Sequence, residues 1–356
     1  MTYRVVQWST GNVGRHAIAG IDARPDLELA GVWVSNPAKA GRDAGELAGL
    51  GRELGVAATQ DADALLAMRP DCVVYTAMAD VRIFEALEDL AKILRAGVNV
   101  VSSSPVFLQY PEGVVPAEMY DPIKQAAEEG NASLFVNGVD PGFANDWLPL
   151  VLTGVSERIE EVRCLEILNY ATYDQATVLF DIMGFGKELD DLPMLLQPGV
   201  LTMAWGSVVH QIAKGLDVEL DGVEEWFTRL PAPETFQVAS GTVEKGTAAA
   251  LRFEVRGMLG GRPVVVLEHV TRLRDDLGPD WPQPAGHGCY RVQVTGEPNY
   301  TLDLQLLGTD GDHNTAGLKA TAMRLVNAVP AVVEARPGLL TALDLPLITG
   351  RGLLGR

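Results

Sequence analysis

The chain is poor in cysteine, in positive charge and in long apolar runs, and each shortage excludes a class of protein. Its three cysteines lie far apart, which argues against a disulfide framework and a CxxC metal site. Lys and Arg number 28 against 47 Asp and Glu, for a formal net charge of −19. Nucleic acid and anionic membranes are therefore poor candidate partners.

Targeting and metal signals are also missing. No stretch reaches about 18 uninterrupted apolar residues, and the first residues, MTYRVVQW, lack the charged and apolar regions of a signal peptide. The five histidines are scattered without a metal-ligand spacing such as HxxxH. We therefore expect a cytoplasmic protein without a membrane span or a metal site.

What is present is a regular alternation of short apolar runs with helical patterns over the first 140 residues or so. Such alternation predicts parallel βαβ units. From Phe236 onward strands dominate, and Gly260-Gly261 between two of them predicts a hairpin turn. The predicted fold class is α/β, with an N-terminal Rossmann parallel sheet, a C-terminal α+β domain with a mixed or antiparallel sheet, and a last helix returning to the Rossmann domain. We expect the boundaries 1–145, 146–312 and 313–356.

A glycine loop follows the first strand. The strand ends at Trp8, and Gly11 and Gly14 lie three apart where a helix begins, as in a dinucleotide-binding fingerprint. Ser9 stands where the first glycine usually is. The helix end would face the cofactor pyrophosphate, and the predicted contacts are Ser9, Thr10, Gly11, Asn12, Val13, Gly14 and Arg15.

The end of the second strand indicates which cofactor binds. NAD enzymes place an acid there for the ribose hydroxyls, but this strand runs into Ser35-Asn36, with Lys39 and Arg42 close behind. A hydroxyl, an amide and cations suit a 2′-phosphate, so we predict NADP(H), with NAD(H) as the alternative. The solvated-loop interpretation of Lys39 and Arg42 stays open.

Small and polar residues follow two further predicted strands. Ligands of open parallel sheets lie at the carboxyl ends of the strands. We therefore add Thr76, Ala77, Met78, Ser102 and Ser103 to the predicted cofactor contacts, although ordinary loop roles are nearly as plausible for each.

Hydride transfer also needs a group that moves a proton. Tyr170 and Tyr173 end a predicted strand early in the second domain, where either can protonate a substrate, with Asn169 orienting it. His269 interrupts an apolar alternating strand and is a further candidate. Packing roles for the tyrosines and a core or interface role for His269 remain alternatives.

The ordered motifs resemble one family. Besides the glycine loop they are Val98–Ser103, Asn137–Phe143 (NGVDPGF) and Val326–Pro330. The chain resembles the dihydrodipicolinate-reductase-like proteins that include 2,4-diaminopentanoate dehydrogenase and the native amine dehydrogenases. The resemblance implies oxidation of an amine to an imine, or the reverse reductive amination, in a homodimer. It also implies cofactor contacts from Asp140 in the second motif and from Asn327 on the returning helix.

The sequence departs from relatives in two places. The histidine-rich motif and the DAPSGT loop of dihydrodipicolinate reductase itself are absent, so we reject that role. Amine-forming relatives carry a catalytic glutamate shortly after the serine-rich strand end, but here residues 102–111 read SSSPVFLQYP, and Glu112 comes later. We predict an NAD(P)H-dependent oxidoreductase of the amine dehydrogenase or imine-reducing type, acting on small, largely apolar molecules. The alternatives are an NADPH-dependent carbonyl reductase and a non-catalytic NADP(H) sensor.

Overall fold

A computed structural model describes residues 2–355 of the chain. Its strands, numbered in chain order, are β1 (Tyr3–Trp8), β2 (Leu27–Trp33), β3 (Ala58–Thr59), β4 (Cys72–Tyr75), β5 (Asn99–Ser102), β6 (Ser133–Val136), β7 (Arg158–Asn169), β8 (Gly222–Pro231), β9 (Phe236–Val238), β10 (Gly241–Val243), β11 (Ala248–Leu259), β12 (Arg262–Arg272), β13 (Cys289–Glu297), β14 (Tyr300–Leu304) and β15 (Gly338–Leu340).

The α-helices lie mostly between the strands of the first half of the chain. They are α1 (Asn12–Asp22), α2 (Ala44–Ala48), α3 (Ala62–Ala67), α4 (Ile83–Arg95), α5 (Ala117–Gly130), α6 (Trp147–Thr153), α7 (Val200–Gly215) and α8 (His313–Val333). Short 3₁₀ or π turns form at Pro37–Lys39, Val106–Gln109, Val139–Phe143, Thr177–Ile182 and Met194–Leu196.

The first of two compact units comprises residues 2–139 and 318–355. Its seven-stranded sheet has the order β15-β6-β5-β4-β1-β2-β3, and every pairing in it is parallel. The central strands are buried on both faces, β4 and β6 along their whole length, because helices cover the two sides of a parallel sheet. All the carboxyl ends therefore meet at one edge.

The C-terminal segment is part of this unit's core. Val326 and Val329 of α8 are fully buried and belong to the same apolar cluster as Tyr3 and Val5 of β1. The side chain of Arg324 donates a 2.8 Å hydrogen bond to Asn137 beyond the end of β6. The last helix thus returns to the sheet formed by the first 139 residues.

The second unit comprises residues 140–317. Its six-stranded mixed sheet has the order β14-β13-β7-β12-β11-β8, with β7 and β12 parallel and the other pairs antiparallel. Gly260 and Gly261 join β11 to β12 with φ of 59° and 75°, which is the left-handed geometry of a two-residue hairpin. Apolar residues of α7, such as Val208 and Ile212, pack in one core with inward-facing side chains of this sheet.

The predicted fold class is confirmed. Helix α4 begins at Ile83, after Arg82 with φ of −148° and ψ of 46°. The last helix continues through Pro330 to Val333, because the full burial of Val329 and Val332 outweighs the hydrogen bond that proline removes. No helix within residues 2–355 combines the length and apolarity needed to cross a bilayer.

Candidate functional site

The glycine loop of the first unit is shaped for close approach. Ser9 adopts a left-handed φ of 80°, so this serine makes the turn usually made by glycine. Gly11 is the N-cap of α1, which has no acidic residue in its first turn. A Cβ added at Gly11 would meet no atom within 4 Å. The positive end of α1 is therefore open to an anion such as a pyrophosphate.

Gly14 and Gln7 hold the loop from behind. A Cβ at Gly14 would lie 2.3 Å from the Ser9 carbonyl oxygen and 2.8 Å from Thr76 Oγ1. Gln7, fully buried at the end of β1, donates through Nε2 to those same two oxygens at 2.8 Å. Gln7 thus ties the loop to the end of β4. Sequence analysis missed it, although a polar residue inside the apolar run YRVVQW was the available signal.

The turn after β2 brings a cation to the loop. Lys39 Nζ lies 3.1 Å from both the carbonyl and the hydroxyl oxygen of Thr10. Asn36 accepts the Ala38 amide and shapes the turn, and Ser35 is exposed. Arg42 instead pairs with Glu46 at 2.8 Å. Of the two predicted cations, Lys39 is the one held against the glycine loop.

Other predicted cofactor residues fall into two groups. Those at the ends of β4 and β5 are neighbours, since Ser103 N donates to Tyr75 O and Ser104 Oγ donates to Ala77 O. Asn327 is placed elsewhere, because its side chain accepts from Arg24 beyond the far end of α1. The two groups are Thr76, Ala77, Met78, Ser102 and Ser103, which meet at the sheet edge, and Asn327, which does not.

Basic groups also flank the first turn of α1. Burial, with Arg15 and Lys319 as the nearby positive charges, lowers the pKa of His16 to about 4. His16 is therefore neutral at physiological pH, and the two cations remain as local positive charge on an acidic chain. Lys319 was not predicted as part of this surface.

In the second unit, strand register brings four side chains into a row. Glu166 on β7 is the partner of His269 on β12 and of Tyr290 on β13. Phe253 on β11 is the partner of His269. Directly paired residues point to the same face of a sheet, so these side chains lie side by side on one face.

Asp140 completes a buried cluster with two of them. Its Oδ1 lies 3.3 Å from His269 Nε2, and Glu166 Oε1 lies 3.5 Å from His269 Nδ1. We call these three residues the carboxylate–histidine trio. None of the three side chains is more than 5% exposed, so they interact where water screens little.

The trio stabilises a protonated histidine. Burial by itself would lower the pKa of His269, but the charges of Asp140 and Glu166 outweigh it and raise that pKa to about 10. Burial likewise opposes ionisation of Asp140, while His269 and the indole of Trp205 bring its pKa below the ordinary value. At neutral pH, Asp140 and His269 thus form an ion pair, with the carboxylate of Glu166 beside it.

Aromatic groups enclose the trio. Trp205 Nε1 donates a 2.9 Å hydrogen bond to Asp140, and its ring centroid lies 4.6 Å from that of His269. The Tyr170 hydroxyl donates to Glu166 at 2.6 Å. Burial and then the charge of Glu166 raise the pKa of Tyr170, so this phenol keeps its proton.

The remaining catalytic candidates are peripheral to the trio. Tyr173 packs against the ring of Tyr170, with centroids 5.0 Å apart. Asn169 donates to Asp275 and accepts from the Ala171 amide, so its side chain shapes the turn after β7. Two predicted catalytic residues, Tyr170 and His269, are therefore brought together.

Sequence analysis did not single out Glu166 or Trp205 as functional. The signal for Glu166 was an acid within the apolar segment CLEIL, but its partner depends on strand register, which a sequence does not give. Asp140 was predicted as a cofactor contact, and the structure places its carboxylate on His269.

The trio is also the one group of three His, Cys or acidic residues within residues 2–355 whose ligand atoms lie close enough, within 4.8 Å, for a single metal ion. An imidazole must lose its proton before it binds a metal, and the charges of Asp140 and Glu166 raise the pKa of His269 to about 10.

Two protein-family models match this chain. Residues 143–353 match the 2,4-diaminopentanoate dehydrogenase C-terminal domain, and residues 5–104 match the dihydrodipicolinate reductase N-terminus. An amine dehydrogenase of Streptomyces virginiae is 46% identical over 356 residues, covering 99% of this chain and 98% of the relative. The 2,4-diaminopentanoate dehydrogenase of Acetoanaerobium sticklandii is 23% identical, covering 74% of this chain and 70% of the relative.

A solved structure shares the fold. The amine dehydrogenase from Mycobacterium smegmatis superposes with a TM-score of 0.79 at 22% identity, covering 99% of this chain and 98% of that one. With both family matches and the near full-length relative in agreement, the chain belongs to the 2,4-diaminopentanoate dehydrogenase family and is an NAD(P)-dependent oxidoreductase.

Proposed function

We propose that this protein is an NADP(H)-dependent amine dehydrogenase acting on small, largely apolar amines and carbonyl compounds. In the reductive direction, ketone, ammonium and NADPH give amine, water and NADP⁺. The nicotinamide supplies or accepts the hydride. The second unit binds the substrate and moves the protons.

The carboxylate–histidine trio is the observation that carries this proposal. The trio places two buried carboxyl groups, those of Asp140 and Glu166, against the single imidazole of His269. A buried charge without a counter-ion is costly, so such a site favours a cationic ligand. Ammonium and protonated amines are cations, whereas a ketone alone is not.

The trio also offers an acid in place of the catalytic glutamate that amine-forming relatives carry shortly after β5. The 102–111 segment supplies no acid, and Glu112 beyond it is exposed and paired with Lys124 at 2.9 Å. Amine chemistry needs an acid near the nitrogen. We propose that the second unit supplies it from the trio instead.

The preference for NADP(H) rests on Lys39. Its ammonium is held at the glycine loop, where the second strand offers no acid for ribose hydroxyls. A cation there favours the 2′-phosphate. We propose that Ser35, Asn36 and Lys39 bind this phosphate, and that residues 9–15 with the ends of β4 and β5 bind the remainder.

The experiment is turnover of NADPH with cyclohexanone, with and without ammonium, followed by chromatographic identification of the product. Cyclohexylamine formed only with ammonium present supports the proposal. Cyclohexanol formed without ammonium identifies a carbonyl reductase instead. Tight NADPH binding with no turnover across a carbonyl panel identifies a sensor.

We further propose a homodimer, with 1–145 as the cofactor-binding domain, 146–312 as the substrate and dimerisation domain, and 313–356 packing back on the first. The family resemblance supports this arrangement. Light scattering after size-exclusion chromatography gives the oligomeric mass, and a mass of about 38 kDa contradicts the dimer.

A further inference from the structure

Gln7 is a buried polar residue in an otherwise apolar part of β1. It is fully buried, as are Val5 and Val6 just before it. Its Oε1 meets no hydrogen-bond donor within residues 2–355. A buried acceptor without a donor is destabilising, so an apolar side chain would suit the core at this position better. The reason for a glutamine here therefore lies with its other terminal atom, Nε2.

The Nε2 atom faces three oxygens at the start of the glycine loop. It lies 2.8 Å from the Ser9 carbonyl oxygen, 2.8 Å from Thr76 Oγ1 and 3.2 Å from the Trp8 carbonyl oxygen. Carbonyl oxygens only accept hydrogen bonds, so the NH2 end of the amide must be the end that faces them. The Thr76 hydroxyl in turn donates to the Trp8 carbonyl at 3.1 Å. Gln7 and Thr76 together thus bind the carbonyl groups of the last residue of β1 and the first residue of the loop.

Ser9 is the residue that needs this restraint. Its φ of 80° is left-handed, and the strain of that geometry lowers its population in a non-glycine residue by a factor of about 5–30. The Ser9 N–H donates to the Trp33 carbonyl oxygen at 2.9 Å. Because Gln7 binds the carbonyl group of the same residue, the Ser9 backbone is held on both sides.

The turn at Ser9 determines the direction in which the loop presents its N–H groups. Helix α1 begins at Asn12, three residues later, and the N–H groups at a helix N-terminus bind a phosphate when they point at it together. Release of Ser9 from the left-handed conformation would turn these groups away. The apparent affinity for the cofactor then falls with the fraction of molecules whose loop is in the binding conformation.

We propose that Gln7 is a positioning residue for the cofactor, which holds Ser9 in the left-handed turn so that the glycine loop is in its binding conformation before the pyrophosphate arrives. Gln7 thereby supplies a restraint that a glycine at position 9 would not need. It acts through Ser9 and does not touch the cofactor. The inference rests on the proposed contact of residues 9–15 with the dinucleotide, and it does not depend on the choice between NADPH and NADH.

The test uses Gln7→Met, which keeps the length of the side chain and removes both N–H donors. If the loop is then in its binding conformation in about one molecule in ten, the Kd values for NADPH and for NADH should both rise about tenfold in fluorescence titration. The Tm of the free protein should stay within about 3 °C of the wild type, because the variant loses an unpartnered buried oxygen together with the hydrogen bonds.

Val5→Ala is the control on the same strand. Loss of part of a fully buried side chain should lower the Tm by about 4 °C or more and leave both Kd values unchanged. The two variants therefore separate a defect of the cofactor loop from a defect of the core.

Ser9→Gly tests whether the effect of Gln7 passes through Ser9. Glycine adopts a φ of 80° without strain, so Gln7→Met combined with Ser9→Gly should bind both nucleotides within about threefold of the wild type. Ser9→Gly alone should bind them like the wild type. A double variant that binds as weakly as Gln7→Met would overturn the proposal.

Unchanged Kd values in Gln7→Met would refute the role of Gln7 and leave the proposed cofactor site standing. A wild type that binds neither nucleotide would refute both. If circular dichroism shows Gln7→Met to be unfolded, Thr76→Val is the second variant, since it removes the hydroxyl between Gln7 and Trp8 and keeps the shape of the side chain. It should raise both Kd values about 3- to 10-fold, with recovery in Ser9→Gly. Unchanged Kd values, or a loss that Ser9→Gly does not restore, would overturn the proposal.

Discussion

The imidazole of His269 stacks on the ring of Phe253, with centroids 4.7 Å apart and planes 10° from parallel. Trp205 approaches the same imidazole from a tilted direction. Aromatic faces attract cations, so the two rings add to the attraction of the two carboxylates. The charged state of His269 therefore depends on apolar as well as acidic neighbours.

Replacing Phe253 with leucine should lower stability by about 1–3 kcal/mol, because a fully buried ring and its interaction with the imidazolium are both lost. Urea denaturation at pH 7 measures this. Phe185→Leu, another buried ring in the same unit, is the control for ring loss alone. Equal losses in the two variants would show that the stacking with His269 adds nothing.

Asp140→Asn should lower the pKa of His269, because one of its two carboxylates becomes neutral. The remaining acid facing His269 is then Glu166, which also accepts from Tyr170 and is the strand partner of Tyr290. In the wild type the raised pKa of about 10 stabilises the fold fully below pH 6.5, and this contribution is lost as pH rises through 10. In Asp140→Asn this stabilising contribution should be lost at a lower pH than in the wild type.

Tm measured from pH 6 to pH 10.5 checks this, together with the alkaline limb of the kcat profile. Both should shift to lower pH in Asp140→Asn, while NADPH affinity stays unchanged. Parallel Tm curves for variant and wild type would rule out the coupling of Asp140 to His269.

Gly11→Ala should weaken cofactor binding, whereas Gly14→Ala should lower stability. At Gly11 a Cβ meets no protein atom, so Tm should hold while NADPH affinity falls about tenfold or more, since the methyl group occupies the approach of the pyrophosphate. At Gly14 the Cβ meets backbone at 2.3 Å, so stability should drop by about 1–3 kcal/mol. Thermal denaturation and fluorescence titration separate the two. A Gly11→Ala protein with wild-type NADPH affinity would contradict the loop assignment.

Lys39→Ala should weaken NADPH binding about 10- to 100-fold, the usual loss for a charge-assisted hydrogen bond, and leave NADH binding nearly unchanged. Arg42→Ala is the matched control, because Arg42 pairs with Glu46. Titration with NADPH and with NADH gives the ratio of the two affinities for each variant. If the ratio of NADPH to NADH affinity is the same in Lys39→Ala and the wild type, the 2′-phosphate assignment is wrong.

Asn327→Ala should lower the free energy of unfolding. Its loss removes a 2.7 Å hydrogen bond from the buried Arg24, and a charged donor left short of a partner costs about 1–2 kcal/mol. Chemical denaturation measures this, and NADPH titration should show no change. A normal denaturation midpoint with weakened NADPH binding would instead favour the cofactor role that the sequence predicts for Asn327.

The Rossmann half of the fold was predictable because its signals are local. The strand ending at Trp8, the glycine pair and the helix after it follow one another in the chain, and β1 has the bounds that the apolar run predicts. Short elements such as β3 and β15 were not predicted. Each has only two or three residues, too few for a periodic pattern, and forms by pairing with an existing sheet edge.

The trio was only partly predictable because its members are distant in sequence. His269 was a candidate as a polar residue in an apolar strand. Its relation to Glu166 follows from parallel pairing of β7 with β12, and that pairing depends on the packing of the whole sheet. Trp205 carried no signal, since a tryptophan in an apolar helix usually serves the core.

The first unit takes most of its last helix and its edge strand from residues 318–355, which a ribosome makes after the whole second unit. Until α8 emerges, side chains such as Tyr3 and Val5 lack part of their apolar cluster, which includes Val326 and Val329, and all of residues 140–317 must be made in the meantime. At 5–20 residues per second that delay is roughly 10–35 s. During it the nascent nucleotide-binding half exposes an apolar sheet face to chaperones and to neighbouring chains. Synthesis of the C-terminal segment is thus the event that commits this half of the protein to fold.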